Sequence, residues 1–260
     1  MAKYGAFLYG AKLYGQFDIP YVVEISWDNS GLYSGTYDDV TGMIESVSIS
    51  RGRESEFDQI EVGRCEMMLD NSDRRFSPEN ANSVISASNL VPRRPLRVRM
   101  STGGSTSNIF TGYIKRIKPQ PKIGDQTPVF IEAEDGLSLF SRANATIALE
   151  QNVDTGCAMN LTLTSVGFPS ASRSIDAGND LLDYFWVRDT NAKQLLDDLA
   201  KSENGVYFIN KNGGFTFKNR QYRFITQTSS ASFSNIFSNF DYDLSDEKIF
   251  NDVRITAHPR

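Results

Sequence analysis

The chain has 260 residues, 40% of them hydrophobic and 23% charged, a balance that suits a folded core and excludes a disordered chain. Lys and Arg number 27 against 32 Asp and Glu, a net charge of −5, which disfavours a nucleic-acid clamp because such binding rests on neutralised phosphates. Two cysteines, Cys65 and Cys157, exclude a disulfide framework, and the single histidine, His258, nearly excludes histidine triads, HExxH metal sites and histidine proton shuttles.

The first 20 residues repeat Tyr4-Gly5, Tyr9-Gly10 and Tyr14-Gly15 at a spacing of five. That spacing fits neither the strand nor the helix period. It predicts an irregular arm in which each Gly bends the backbone and each Tyr anchors it. No apolar h-region marks a secretory signal here. No apolar run approaches the ~20 residues of a membrane span. Residues 1–40 read as this arm plus the first strands.

Alternation starts at residue 43. In 43–50, Val47 and Ile49 face away from Ser46, Ser48 and Ser50. In 61–70, Cys65, Met67 and Leu69 alternate with Arg64, Glu66 and Met68. In 95–100, Leu96, Val98 and Met100 oppose Arg97 and Arg99. Residues 109–118 read as a strand buried on parts of both faces, and 129–135 set Val129, Ile131 and Ala133 against Glu132 and Glu134. Pro119, Pro121, Gly124 and Pro128 make the join between these last two a loop. One-sided alternation with turn-rich joins predicts an antiparallel β-barrel or sandwich over 41–149.

The pattern changes near residue 150. Residues 154–166 predict a helix capped by Asp154 or Thr155, stopped at Gly167 and blocked by Pro169. A clearer helix follows Thr190 or Asn191, with Ala192, Leu195, Leu196, Leu199 and Ala200 on one stripe and Asn204-Gly205 as its stop. Residues 206–209 and 215–217 flank Asn210 to Gly214 as an aromatic hairpin. Residues 150–220 thus read as a small α+β domain. Farther on, Val253, Ile255 and Ala257 alternate with Asp252, Arg254 and Thr256. Residues 221–260 either return to the first sheet or start a second one. The fold class is mainly β with an α+β insertion: an antiparallel β-barrel, a small helix-hairpin domain and the start of a second barrel.

No constellation assigns catalytic, cofactor-binding or metal-ligating residues. The carboxylate pairs are Asp38 with Asp39, Asp70 with Asp73, Glu132 with Glu134, and Asp197 with Asp198. Glu132 and Glu134 share an outward strand face, whereas acid–base catalysis needs two carboxylates converging in a pocket. The turn Asp70-Asn71-Ser72-Asp73 crowds oxygens but lacks the calcium-loop spacing, and an Asx turn accounts for it. Both cysteines fall on apolar faces and read as buried and inert. Gly103-Gly104 lacks the Lys-Ser/Thr of a phosphate loop. Basic residues gather at Arg93, Arg94, Arg97, Arg99, Lys115, Arg116, Lys118 and Lys122. If the strands are neighbours, this is one positive face: solvated, a seam against acidic residues such as Asp38 and Asp39 of another subunit, or a nucleic-acid surface. Trp27 and Trp186 lie in segments that read as core or interface, which ranks a carbohydrate-binding platform lower.

The order of segments resembles a family. Ile49-Ser-Arg-Gly-Arg53, Glu61-Val-Gly-Arg-Cys-Glu-Met-Met-Leu-Asp-Asn71 and Arg75-Phe-Ser-Pro-Glu-Asn80 look like the N-terminal domain of tail proteins of long-tailed bacteriophages. These are the baseplate hub, tail-tip and minor tail proteins. The pattern continues through Leu90-Val-Pro-Arg-Arg-Pro-Leu-Arg-Val-Arg99, Ile109-Phe-Thr-Gly-Tyr-Ile114, Ala133-Glu-Asp-Gly-Leu137, Thr190-Asn-Ala192, Gly213-Gly-Phe-Thr-Phe217 and Ile249-Phe-Asn-Asp-Val-Arg254. It covers about residues 40–257, and Leu-Asp-Asn with Arg-Phe-Ser-Pro is its most specific piece. The resemblance implies a structural, non-enzymatic virion protein without cofactors. It implies a β-barrel in a ring around the tail channel, an α+β domain outside it, and a second, pseudo-equivalent barrel. It further implies self-association as a trimer, with a hexameric distal-tail ring as the alternative. The implied partners are tail tube, distal-tail, tape-measure and fibre proteins, with DNA only as passing cargo. The sequence ends within the first strands of the second barrel, so it reads as a short member or as part of a longer chain.

Overall fold

The computed structural model describes residues 21–28, 36–52, 60–102, 105–120 and 127–225. Seven strands occupy the first half: β1 (Tyr21–Ile25), β2 (Asp38–Asp39), β3 (Ile44–Ser50), β4 (Arg64–Asp70), β5 (Pro95–Thr102), β6 (Ser105–Pro119) and β7 (Pro128–Glu134). They form one sheet in the order β2-β1-β5-β6-β7-β4-β3, with every neighbouring pair antiparallel. The alternation works as the sequence suggested. Cys65, Met67, Leu69, Leu96, Val98, Ile131 and Ala133 are each at most 1% exposed and share one core with Phe110 and Ile114. β1 joins that core through Val23 and Ile25, both fully buried.

The edges of this sheet give its shape. β2 and β3 lie at opposite edges, yet only residues 40–43 separate them. Six gaps of about 4.8 Å would hold the edges of a flat sheet about 29 Å apart. Five Cα steps of about 3.8 Å reach only about 19 Å. The sheet therefore curls. The expected barrel needs a correction here: among the described residues no ladder joins β2 to β3. β2 is two residues long, and a 3-10 turn at Thr41–Met43 lifts the backbone away before it can pair with β3. That turn is stitched to β1 instead, since Val23 N donates to Thr41 Oγ1 at 2.9 Å and Val40 N donates to Val23 O at 2.9 Å.

A second core follows. It contains α1 (Leu137–Phe140), β8 (Asn144–Asp154), α2 (Thr155–Ser165), β9 (Arg173–Ile175), β10 (Leu181–Asn191), α3 (Ala192–Glu203), β11 (Val206–Ile209) and β12 (Phe215–Lys218). β8 and β10 form a two-stranded antiparallel ribbon. β11 and β12 are the aromatic hairpin, and β9 adds to β12 in parallel. The caps fall where residue chemistry places them. Asp154 Oδ1 accepts Cys157 N at 2.8 Å to open α2, and Asn191 Oδ1 accepts Gln194 N at 3.2 Å to open α3. Asn204 ends α3 at φ 51°, a left-handed position that asparagine tolerates. Leu196 is fully buried, and Leu195 and Leu199 pack in the same core as Phe140, Phe168, Phe215 and Phe217.

The two cores meet at a built joint. Asp135 follows β7 and is 4% exposed. Its Oδ1 accepts Leu137 N at 3.0 Å and its Oδ2 accepts Gly63 N at 3.0 Å. A Cβ on residue 63 would stand 2.7 Å from that Oδ2, so the close approach requires glycine. Arg51 donates to Ile109 O and Ile209 O, both at 2.7 Å, tying β6 to the end of β11. Thr111 Oγ1 donates to Lys211 O at 2.8 Å. Among the described residues no helix is long and apolar enough to cross a membrane. The Tyr-Gly arm and the strand expected at 252–257 lie outside the described residues.

Candidate functional site

Most members of the carboxylate pairs have structural partners, while Asp38 and Asp198 are exposed. Glu134 meets Lys115 at 2.5 Å and Glu132 meets Arg116 at 3.7 Å across β6 and β7. Asp70 Oδ1 accepts Ser72 N at 2.9 Å, and Asp73 Oδ1 accepts Arg75 N at 3.1 Å, so the acidic turn is a pair of Asx turns. The hydrogen bond from the Arg75 side chain holds the Asp73 carboxyl below its usual range. Asp197 pairs with Lys193 and accepts the Tyr207 hydroxyl. No group of three or more His, Cys, Asp or Glu side chains converges as a metal site among the described residues.

The cysteines divide. Cys65 is buried, and burial pushes its thiol up to about 12. Cys157 is exposed, which corrects the expectation of two buried thiols. α2 buries Ala158, Met159, Thr162 and Leu163, and Cys157 falls off that face.

The basic strand is also not what its sequence suggests. Glu24 stands opposite Arg97 in the β1–β5 register. Its carboxylate bonds Arg97 Nε at 2.6 Å and Arg99 Nη2 at 2.7 Å. The Arg97 guanidinium lies 4.0 Å from the Tyr37 ring centroid. Arg94 is buried and donates to Asn89 O and Ser88 O. One carboxylate thus partly offsets two arginines of the basic face from inside this chain, at Arg97 and Arg99. Residues 1–40 read as an arm plus the first strands, and β1 is one of these; its register with β5, which no local pattern gives, supplies the glutamate. Lys122 lies outside the described residues.

The most specific sequence segment proves to be a loop clamp. Asn71 Oδ1 accepts Phe76 N at 2.9 Å, and Asn71 Nδ2 donates to Ser77 Oγ at 3.0 Å. This seats the fully buried Phe76 beside Trp27, ring centroids 5.9 Å apart. The loop that leaves the clamp and returns at Arg94 walls a cleft of 460 Å³. Trp27, Asp38, Asp39, Arg75, Val84 and Ile85 line it. Trp27 is 4% exposed, and its Nε1 is buried without a partner.

Trp186, in a segment that reads as core or interface, is not core: it is 64% exposed on the β8–β10 ribbon. Tyr184 is 67% exposed, and Leu149 and Leu181 are exposed as well. The register explains the geometry. Phe185 pairs with Glu150 and Val187 with Ile147, so Trp186 stands alone opposite the bulge at Ala148 and Leu149. Phe185, between Tyr184 and Trp186, is the buried one. The Tyr-x-Trp-x-Arg alternation at 184, 186 and 188 was the available signal. The bulges on both sides of Val187 hid the strand.

A last polar centre is internal. Glu203 is fully buried at the end of α3. It accepts Asp180 N, Asn179 N, Asn179 Nδ2 and Thr155 Oγ1 at 2.9 to 3.0 Å, and Arg220 Nε at 3.2 Å. Burial alone would raise its carboxyl, but the donors from Asp180, Asn179 and Thr155 overcome it and bring it down to about 2. The centre fastens residues 179–180 to two helices.

Taken as a backbone, this architecture has solved counterparts. It is similar to the 43 kDa tail protein of prophage MuSo2 from Shewanella oneidensis, with a TM-score of 0.53 and 13% identity over 78% of this chain and 56% of that one. The tail protein of Neisseria meningitidis MC58 aligns with a TM-score of 0.49 and 12% identity over 76% of this chain and 50% of that one. An E. coli type VI secretion system component described as structurally similar to T4 tail proteins aligns at 0.39 and 10% identity, over 81% and 48%. The chain spans about half the length of these structures. No protein-family model matches the sequence, and no curated protein matches it. The fold is similar to that of a solved prophage tail protein, the kind of fold that the resemblance in the sequence implied.

Proposed function

We propose that this chain is a structural subunit of a phage tail, a baseplate-hub or tail-tip component that closes into a ring around the DNA channel at the distal end of the tail. The observation that carries this reading is the fold: a curled antiparallel sheet with an α+β unit fastened to it, matching a tail protein over 78% of the chain. The net charge of −5 is consistent with a channel wall that does not capture passing phosphates. The ring holds three copies, with six as the distal-tail alternative, and its neighbours are tail-tube, distal-tail, tape-measure and fibre proteins. The protein then resides in the virion tail, and its role is structural, not catalytic. Native mass of assembled tails tests this. Three or six copies support a ring, and one copy overturns it. A lysis band on peptidoglycan zymograms would overturn the non-catalytic role.

A second reading has its own observation. Exposed Trp186 and Tyr184 resemble an aromatic platform for a carbohydrate or receptor. Reproducible glycan-array binding lost in Trp186→Ala would favour that reading.

A further inference from the structure

The outer face of the β8–β10 ribbon has the composition of a protein contact. Tyr184 and Trp186 flank the buried Phe185 on β10 and so share its outward face, and Arg188 stands exposed at the bulge that follows Val187. All three are exposed, and Leu149 faces Trp186 across the bulge. Trp, Tyr and Arg are the residue types that dominate interface energetics. With Leu149, the two aromatics expose roughly 400 Å² of apolar surface, within the range of patch that on monomeric proteins is often functional. Leu149 offers nothing to a sugar hydroxyl, which favours a protein occupant.

The same chain carries a complement. The 460 Å³ cleft beside Trp27 has Asp38 and Asp39 in its wall and Val84 and Ile85 at its loop side. Asp38 is exposed, and Val84 is 90% exposed. The carboxylates match Arg188 in charge, and the apolar loop residues match Trp186.

We propose that the Tyr184, Trp186 and Arg188 face of one copy docks into the Asp38 and Asp39 cleft of the next copy. This deepens the ring reading and rests on it. A contact between two different surfaces propagates from copy to copy and closes under rotation, whereas a self-complementary patch would stop at a pair.

The test uses the full chain in assembled tails. In a Cys157→Ser background, Trp186→Cys and Val84→Cys are combined in one chain and oxidised. A disulfide ladder of this chain, absent from either single variant, is the expected result. Arg188→Glu should reduce self-association at low salt at least tenfold by light scattering, with an unchanged circular dichroism spectrum, and Asp38→Arg should restore it. No ladder in particles that hold several copies overturns this contact and leaves the ring standing. Particles with one copy overturn both. A crosslink to a different tail protein overturns the assignment of a second copy. Glycan binding lost in Trp186→Ala with normal assembly overturns it in favour of a carbohydrate.

Discussion

Glu24 sits directly across the β1–β5 ladder from Arg97, and its carboxylate bridges Arg97 and Arg99 at 2.6 and 2.7 Å. The glutamate side chain is 10% exposed and each arginine side chain 30%, so this network is largely shielded from solvent. Removing Glu24 leaves two half-buried guanidinium groups short of an acceptor. Glu24→Gln should cost about 1–3 kcal/mol in urea unfolding. It should also uncover positive charge, so the variant should hold DNA more tightly than the wild type at low salt in a gel-retardation assay.

Asn71 and Phe76 give a test of the loop clamp. Asn71→Ala leaves the buried Phe76 N–H without its acceptor and should cost about 1–3 kcal/mol. Phe76→Ala empties a fully buried site and should cost about 3–5 kcal/mol. Thermal unfolding followed by circular dichroism measures both. A loss near zero for Phe76→Ala would mean that the loop does not hold the sheet core closed.

The α3 stripe predicts a similar loss in the second core. Leu196 is fully buried among the aromatics, so Leu196→Ala should cost about 2–5 kcal/mol. Asp198 is off that stripe, and Asp198→Ala should lie within about 0.5 kcal/mol of wild type.

Two carboxyl groups set opposite pH dependences. Burial raises Asp135 from 3.8 to about 6, against the pull of hydrogen bonds from Leu137 N and Gly63 N. The folded state therefore keeps a proton that the unfolded state releases, and stability falls as pH rises from about 4 to about 6, by about 3 kcal/mol. Glu203 runs the other way. Its carboxyl is lowered from 4.5 to about 2, so its contribution is present above about pH 4.5 and is lost as pH falls towards 2, on the order of 2–3 kcal/mol. Urea midpoints from pH 7 to pH 3 should peak near pH 4–5. Asp135→Asn should abolish the slope above the peak, and Glu203→Gln should flatten the slope below it.

Much of the fold was readable because its cores are one-sided. Leu96, Val98, Ile131 and Ala133 alternate strictly, and Leu195, Leu196 and Leu199 fall on one helical stripe, so local period was enough. Asp154 and Asn191 announced their helices through capping chemistry. What stayed hidden depended on pairing across distance. β1 is five residues long, and only its register with β5 reveals that Glu24 answers Arg97 and Arg99. The ribbon stayed hidden because bulges break its alternation on both sides of Val187, and Asn152 and Asp189 take left-handed angles within it. The segment of Trp186 reads as core or interface, and only the strand pairing shows that the ring turns outward. Barrel closure was overstated because the period of a strand says nothing about whether two edges bond. The cleft beside Trp27 joins residues from four separated stretches, which no local pattern brings together.

The position of β1 also sets an order of events in time. The N-terminal strand cannot find its place until β5 exists, and Glu24 and Arg97 are 73 residues apart. β3 and β4 are closer in sequence, and β5, β6 and β7 follow one another as neighbours, so these ladders have shorter loops to close. Long-separation pairings form late because their entropy cost precedes their reward. The β4–β7 ladder, which pairs Arg64 with Glu134, closes a loop nearly as long, so β5 keeps one side bare until β1 docks and β7 keeps one side bare until β4 does. That interval is when a nascent subunit is most exposed to wrong pairing with its own siblings. Crowding many copies at one assembly site would make the speed of β1 docking, more than the final stability, decide how much usable protein a cell obtains.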